Sequence, residues 1–315
     1  MKNTRDKIRS LVLAAALVVL LVLIGCKGLT PDKRRVPTYP SSLWERVDED
    51  FQQAMTTALD KEFRGQYARV VENKRAAFVV VDITDLKNPK VATVNPDVML
   101  YAASLPKIAI LLGAFVQIER GEMPLNEETR AAMTRMIRKS SNKDATAVLN
   151  RVGFERLAQI LQSDKYRLYD LQRNGGLWVG RDYSGGPRWK GDPLHNISHG
   201  ATAMQVARFY YLAETGRLVS DQYWADFVEI MSKPGIGHKF VKGVQKSNPE
   251  AEILRKSGTW KNFHADSGII ENKAEGYKYI IVALVEDPTG GEGLARFATV
   301  VDQTMDRLHK IKPKN

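Results

Sequence analysis

The chain predicts a mixed α/β fold of the α+β kind, an antiparallel sheet packed with helices and carrying an inserted all-helical lobe. Three observations carry this. A buried strand, Ala76-Ala77-Phe78-Val79-Val80-Val81, comes early, and strand signals resume only at Ile253-Leu254, His264 to Ile270 and Tyr277 to Val285. From about 109 to 230 the apolar pattern is mostly helical. Leu294, Phe297, Val301, Met305 and Leu308 then give a closing amphipathic helix. A sheet fed from both ends, with helices between, is the layer pattern of an α/β lobe joined to a helical lobe. The cleft between such lobes is a usual place for a site.

The first residues are read apart from the fold. Lys2, Arg5, Lys7 and Arg9 form a basic segment ahead of Leu11 to Ile24, an apolar run of 14 residues. That is short of the roughly 17–25 residues a bilayer-spanning helix needs and suits a secretory signal. Its end, Leu23-Ile24-Gly25-Cys26, resembles a bacterial lipoprotein processing site. The resemblance implies cleavage before Cys26 and lipid on that cysteine, hence an envelope protein anchored on the periplasmic side. Lys27 in place of an aspartate favours the outer membrane. Cys26 is the only cysteine, so no intramolecular disulfide forms. Residues 1–25 are thus a signal peptide, 26–42 with Pro31, Pro37 and Pro40 a lipid-bearing linker, and 43–315 one folded domain.

Loss of four basic residues and Asp6 with the signal lowers the formal charge from +11 to +8. The excess is dispersed, with Lys33-Arg34-Arg35 its densest run, and no nucleic-acid-binding motif accompanies it. Anionic envelope polymers or headgroups are the partners this charge suits.

Within the domain, Leu43 to Phe63 carries Val47, Phe51, Met55, Leu59 and Phe63 at helical spacing. Arg75 to Ile83 is a buried strand and Lys90 to Val94 its hairpin partner. Next come Ser104-Leu105-Pro106-Lys107 and the apolar run Ile108 to Phe115. Serine three positions before lysine at a helix start puts hydroxyl and amine on one face. A lysine in a partly dry pocket can take the serine's proton, and the helix N-terminus supplies an N–H where an oxyanion forms.

Two further motifs follow. Ser140-Ser141-Asn142 lies between helical segments, where Ser140 can relay a proton and Asn142 can bond a substrate amide. Lys256-Ser257-Gly258-Thr259 lies at a strand end, where Lys256 offers a positive field and Gly258 allows close backbone approach.

Ser-x-x-Lys, Ser-x-Asn and Lys-Ser-Gly in this order resemble the penicillin-recognising serine hydrolases, the superfamily of serine β-lactamases and D,D-peptidases. The layout from about residue 41 onward is similar to a class A β-lactamase domain. The resemblance implies Ser104 as the acylated nucleophile, Lys107 as its proton acceptor and Ser140 as the proton relay. It implies Asn142, Lys256 and Ser257 as substrate-binding residues, and the N–H groups of Ser104 and Thr259 as the oxyanion hole. No metal or organic cofactor is implied, and the substrate is a β-lactam or a peptidoglycan-type peptide. Ser141 stands where class A enzymes usually have aspartate.

The chain departs from class A in one important respect. The expected deacylating glutamate, in a Glu-x-x-Leu-Asn pattern, is missing, and no glutamate occurs from Arg156 to Ala213. Asp164, Asp170, Asp182 and Asp192 read as turn or cap residues, although Asp182 or Asp192 could replace the glutamate. His195 and His199 read as a polar loop rather than a metal pair, and His264 as either core or cleft. Phe209-Tyr210-Tyr211 reads as core. Trp178, Tyr183 and Trp189 read as anchors of a glycine-rich loop or as a groove lining.

Overall fold

A computed structural model describes residues 39, 40 and 42 to 311. Cys26 and the signal lie outside the described residues. The expected helix from Leu43 starts later. A 3₁₀ turn, Trp44–Arg46, comes first, and α1 spans Glu49–Phe63. Asp48 is its cap, accepting a 2.8 Å bond from the Phe51 amide, and Val47 stays half-exposed in a bridge to Val91. α2 (Ala68–Glu72), β1 (Ala76–Asp82), β2 (Lys90–Val94) and β3 (Leu100–Tyr101) follow.

Helices α3 (Lys107–Glu119), α4 (Glu127–Arg138), α5 (Asn142–Val152) and α6 (Phe154–Gln162) build the inserted lobe. The glycine-rich stretch after them forms β4 (Tyr169–Asp170), β5 (Gly175–Gly176), β6 (Trp178–Val179) and β7 (His199–Ala201). The lobe therefore includes two small sheets, β3-β7-β6 and β4-β5, where the sequence reading has helices only. These strands are two or three residues long, below the span over which a two-residue period shows. α7 (Ala203–Glu214), α8 (Asp221–Met231) and α9 (Phe240–Ser247) lead to β8 (Glu252–Trp260), β9 (Phe263–Asn272) and β10 (Tyr277–Glu286), and α10 (Gly290–Ile311) closes the chain.

The main sheet has the order β2-β1-β10-β9-β8, antiparallel throughout, so N- and C-terminal strands meet at β1 and β10. Alternation assigns its two faces. Ala77, Val79 and Val81 of β1, with Ile280, Val282 and Leu284 of β10, face a core shared with α3 and α7. Ala76, Val80, Tyr279, Ile281 and Ala283 face a second core with Phe51 of α1 and Phe297 and Val301 of α10. The helix α3 is buried from Lys107 through Ile118, as a helix apolar all round must be. Phe209, Tyr210 and Tyr211 are core, and the Tyr210 hydroxyl lies 3.0 Å from Ser267 Oγ. The sheet ends at β8, whose Gly258 lies against the turn Ala102–Leu105 that leads into α3.

Candidate active site

Ser104 sits in the turn that delivers the chain from β3 into α3. The Ala102 amide donates to the His199 carbonyl at 2.8 Å, and the Leu105 amide donates back to Ala102 at 3.0 Å. Ala103 takes φ +50°, a left-handed conformation costing about 1–3 kcal/mol in a non-glycine residue. The methyl side chain keeps that cost near its minimum. Helical geometry begins at Lys107, with Pro106 as cap, so Ser104 lies one turn ahead of the helix rather than within it.

Gly258 holds this turn from the other side. A Cβ there would lie 2.2 Å from the Ala102 carbonyl oxygen and 2.8 Å from the amide nitrogens of Ser104 and Leu105. No side chain fits, so the glycine is needed by the serine's own turn as much as by any ligand.

Lys107 is fully buried, and its Nζ is 2.6 Å from the Ser140 carbonyl, 2.7 Å from Asn142 Oδ1 and 3.3 Å from Ser140 Oγ. Ser140 adopts φ +54° between α4 and α5, which lets its carbonyl and hydroxyl both face the lysine. Ser141 caps α5, accepting from the Asp144 amide at 3.2 Å. The middle residue of the second motif thus serves as a helix cap. Burial lowers the Lys107 pKa from 10.5 to about 7, because its surroundings hold no carboxylate to favour the charged form.

Lys256 enters from β8 and completes the chain, its Nζ 3.0 Å from Ser140 Oγ and 2.5 Å from the Ser257 carbonyl. Burial first, then the charge of Lys107, drive its pKa well below normal. Ser104, Lys107, Ser140, Asn142, Lys256, Ser257 and Thr259 are thus brought together from a turn, two helix starts and one edge strand.

Two further residues join this site, Lys239, which no sequence motif marks, and Tyr183, one of the aromatics read as a loop anchor or a groove lining. Lys239, at φ +53° ahead of α9, is buried and donates to the Gly258 carbonyl at 2.6 Å and Thr259 Oγ1 at 2.7 Å. Burial lowers its pKa to about 8. The loop bearing it is held by Arg255, which pairs with Asp266 through contacts of 2.8 and 2.6 Å and donates to the carbonyls of Ile236 and His238. The second is Tyr183, whose ring lies against Lys107 Nζ, 4.5 Å from the ring centre.

The acids of the glycine-rich loop are turn residues. Asp192 accepts from the Tyr169 hydroxyl and from the amides of Leu194, His195 and Ile197. Asp182 accepts from the amides of Ser184 and Gly186. Neither carboxylate hydrogen-bonds Lys107 or Ser140. Trp178 and Trp189 stack with ring centres 6.2 Å apart and anchor the loop, while Tyr183 turns to the site. His195 is on the surface and His199 on β7, with its Nε2 2.9 Å from the Arg181 carbonyl. His264 packs against Gly290 and Gly291.

Three lysine amines, from Lys107, Lys239 and Lys256, gather at β8, and the nearby carboxylate of Asp266 is already taken by Arg255. Such a site suits a substrate that brings its own negative charge.

Solved structures share this fold. The structure of PBP-A matches with TM-score 0.64 and 16% identity, covering 86% of this chain and 100% of that one. A PBP-A mutant, solved as an acyl-enzyme complex with penicillin G, matches with TM-score 0.62 and 16% identity over 80% of this chain and 97% of that one. A β-lactamase from Sphaerobacter thermophilus DSM 20745 matches with TM-score 0.61 and 15% identity over 84% and 99%. No curated protein sequence matches the chain. The fold is that shared by PBP-A and the β-lactamases. The chain belongs to the β-lactamase enzyme family, whose model matches residues 62–132 and 128–308.

Proposed function

We propose that this protein is a serine hydrolase that is acylated at Ser104 by β-lactams or related amides, and that it releases the product slowly. The observation that supports this best is the bridge Lys107–Ser140–Lys256, with Ser140 Oγ 3.3 Å and 3.0 Å from the two amines. Lys107, neutral in substantial fraction near pH 7, takes the Ser104 proton as Oγ attacks the carbonyl carbon. The Ser104 and Thr259 amides stabilise the oxyanion, each such donor contributing roughly 3–4 kcal/mol. Collapse expels the amide nitrogen, which receives its proton through Ser140. Lys256, Ser257 and Lys239 bind the substrate carboxylate, and Asn142 bonds its side-chain amide.

Hydrolysis of the adduct lacks the class A glutamate, and the loop aspartates are engaged in turns. General-base help is worth about 10²–10⁴-fold, so the adduct persists. This observation favours a second reading, a D,D-peptidase-like enzyme working on D-alanyl amides, over a fast β-lactamase. The PBP-A mutant trapped with penicillin G is consistent with it. The resemblance of Leu23-Ile24-Gly25-Cys26 to a lipoprotein processing site supports a place in the cell envelope, anchored through Cys26 on the periplasmic side.

The test uses a fluorescent penicillin and a chromogenic cephalosporin with the soluble domain, following covalent mass and turnover together. A stable adduct lost in Ser104→Ala supports the proposal. Rapid turnover moves the protein to the β-lactamases proper. Neither adduct nor turnover sinks the acylation reading.

A further inference from the structure

The ring of Tyr183 occupies an unusual place for a loop aromatic. It lies over the Lys107 amine, 4.5 Å from Nζ, while its hydroxyl donates to the Ala103 carbonyl at 3.3 Å. One side chain thereby spans the proton acceptor and the residue just before Ser104. Its own position is held on three sides. The Tyr183 amide donates to Thr146 Oγ1 of α5 at 3.1 Å, and its ring packs on His199 of β7 with centres 4.5 Å apart. The loop beneath is closed by Asp182, which accepts from the Gly186 amide, and by Arg181, which donates to the carbonyls of Gly185 and Gly186. A Cβ on Gly186 would fall 2.3 Å from Asp182 Oδ2, so the turn is packed tightly enough to fix the ring above it.

We propose that Tyr183 is a positioning residue that closes Lys107 to water, so that the lysine serves acylation of Ser104 and is withheld from hydrolysis of the adduct. Release requires a water oxygen to attack the acyl carbonyl carbon. The water's proton must pass to a base, and the Ser104 oxygen must leave and take a proton back. The Lys107 amine is the base at hand. Its Nζ is already engaged by the Ser140 carbonyl and Asn142, and the ring covers it further. A water reaching it has to displace the tyrosine. The inference rests on the acyl-enzyme reading above and adds the residue that sets the lifetime of the adduct.

Lys256 of β8 shares Ser140 Oγ with Lys107. His199 of β7 is held neutral by burial, with a pKa near 4, and Tyr101 of β3 stands 6.1 Å beyond it. His199 stays neutral above pH 5 and burial raises Tyr101 above 10, so the groups near the site that titrate between pH 5 and 9 are Lys107, near 7, and Lys239, near 8.

The experiment compares wild type with Tyr183→Ala, Tyr183→Leu and Tyr183→Phe after labelling with fluorescent penicillin. Labelling of wild-type Ser104 is scored first, and its absence overturns the acyl-enzyme reading rather than the role of Tyr183. Given a labelled wild type, Tyr183→Ala loses its adduct roughly tenfold faster or more, measured by intact mass. Its acylation midpoint moves up by about one pH unit as the amine regains water. Tyr183→Leu keeps bulk in the loop should the alanine variant unfold, and it shows the same two changes in smaller measure. Tyr183→Phe keeps the ring and rescues both the lifetime and the midpoint. An adduct in the alanine or leucine variant as durable as wild type overturns the proposal. Faster release with an unmoved midpoint also overturns it, since the effect then bypasses Lys107.

Discussion

Lys256 points its amine at the hydroxyl of Ser140, 3.0 Å away, although 116 residues separate the two in the chain. The contact joins the edge strand of the sheet to the junction of α4 and α5 in the helical lobe. Ser140 is also in reach of Lys107, so two buried amines compete for one hydroxyl; burial lowers the Lys107 pKa, and burial together with the charge of Lys107 lowers that of Lys256.

Acylation should therefore climb with pH through about 7, as the Lys107 amine becomes neutral. Lys107→Met is expected to lower the acylation rate by about 10²–10⁴-fold and to flatten that limb. Stopped-flow labelling with fluorescent penicillin from pH 5 to 9 measures both. A variant that keeps a wild-type profile would remove Lys107 as the base.

Stability has its own pH dependence, of the same origin. The folded pKa of Lys107 is near 7 and that of Lys239 near 8, each below the unfolded value of 10.5. Between these limits the unfolded chain binds more protons, so stability rises with pH from about 7 toward 10. The midpoint of urea unfolding should increase over this window in wild type and increase less in Lys107→Met.

Gly258→Ala introduces a methyl 2.2 Å from the Ala102 carbonyl oxygen. The neighbour is backbone, so relief requires the nucleophile's turn or β8 to shift, at about 1–3 kcal/mol. Thermal unfolding should register that loss. The acylation rate should fall further than stability does, because the Ser104 amide, a proposed oxyanion donor, moves with the turn.

Arg255 and Asp266 are buried together, 3% and 0% exposed at their side chains. Asp266→Ala strands the guanidinium and is expected to cost about 3–5 kcal/mol in chemical denaturation. It also frees the loop that carries Lys239. Replacing both partners, as Arg255→Met with Asp266→Leu, should recover much of the stability but leave weak substrate binding, since Lys239 loses its support.

Lys239→Ala keeps the fold of the Arg255–Asp266 pair but removes one cation from the β8 edge. A charge-assisted hydrogen bond is worth about 1.5–3 kcal/mol, so the concentration for half-maximal acylation should rise roughly tenfold or more for a carboxylate-bearing β-lactam. An esterified analogue should show little change. Equal losses for both would argue that Lys239 acts on structure alone.

What the sequence determined by itself is local or periodic. The hydrophobic runs of β1 and β10 and the 3.6-residue spacing of α10 mark the two-faced sheet, because burial selects residue types at fixed intervals. The three short motifs identify Ser104, Lys107, Ser140, Asn142 and Lys256, because each is a few adjacent residues at a helix or strand start. The tertiary structure alone decided how the site is dried, supported and closed. Lys239 joins it through a left-handed backbone residue and a remote Arg255–Asp266 pair. Tyr183 joins it through a glycine-rich loop whose strands are too short to show a period. Burial, field and water access depend on what surrounds an atom in space, and that is set by chain segments with no fixed spacing from it.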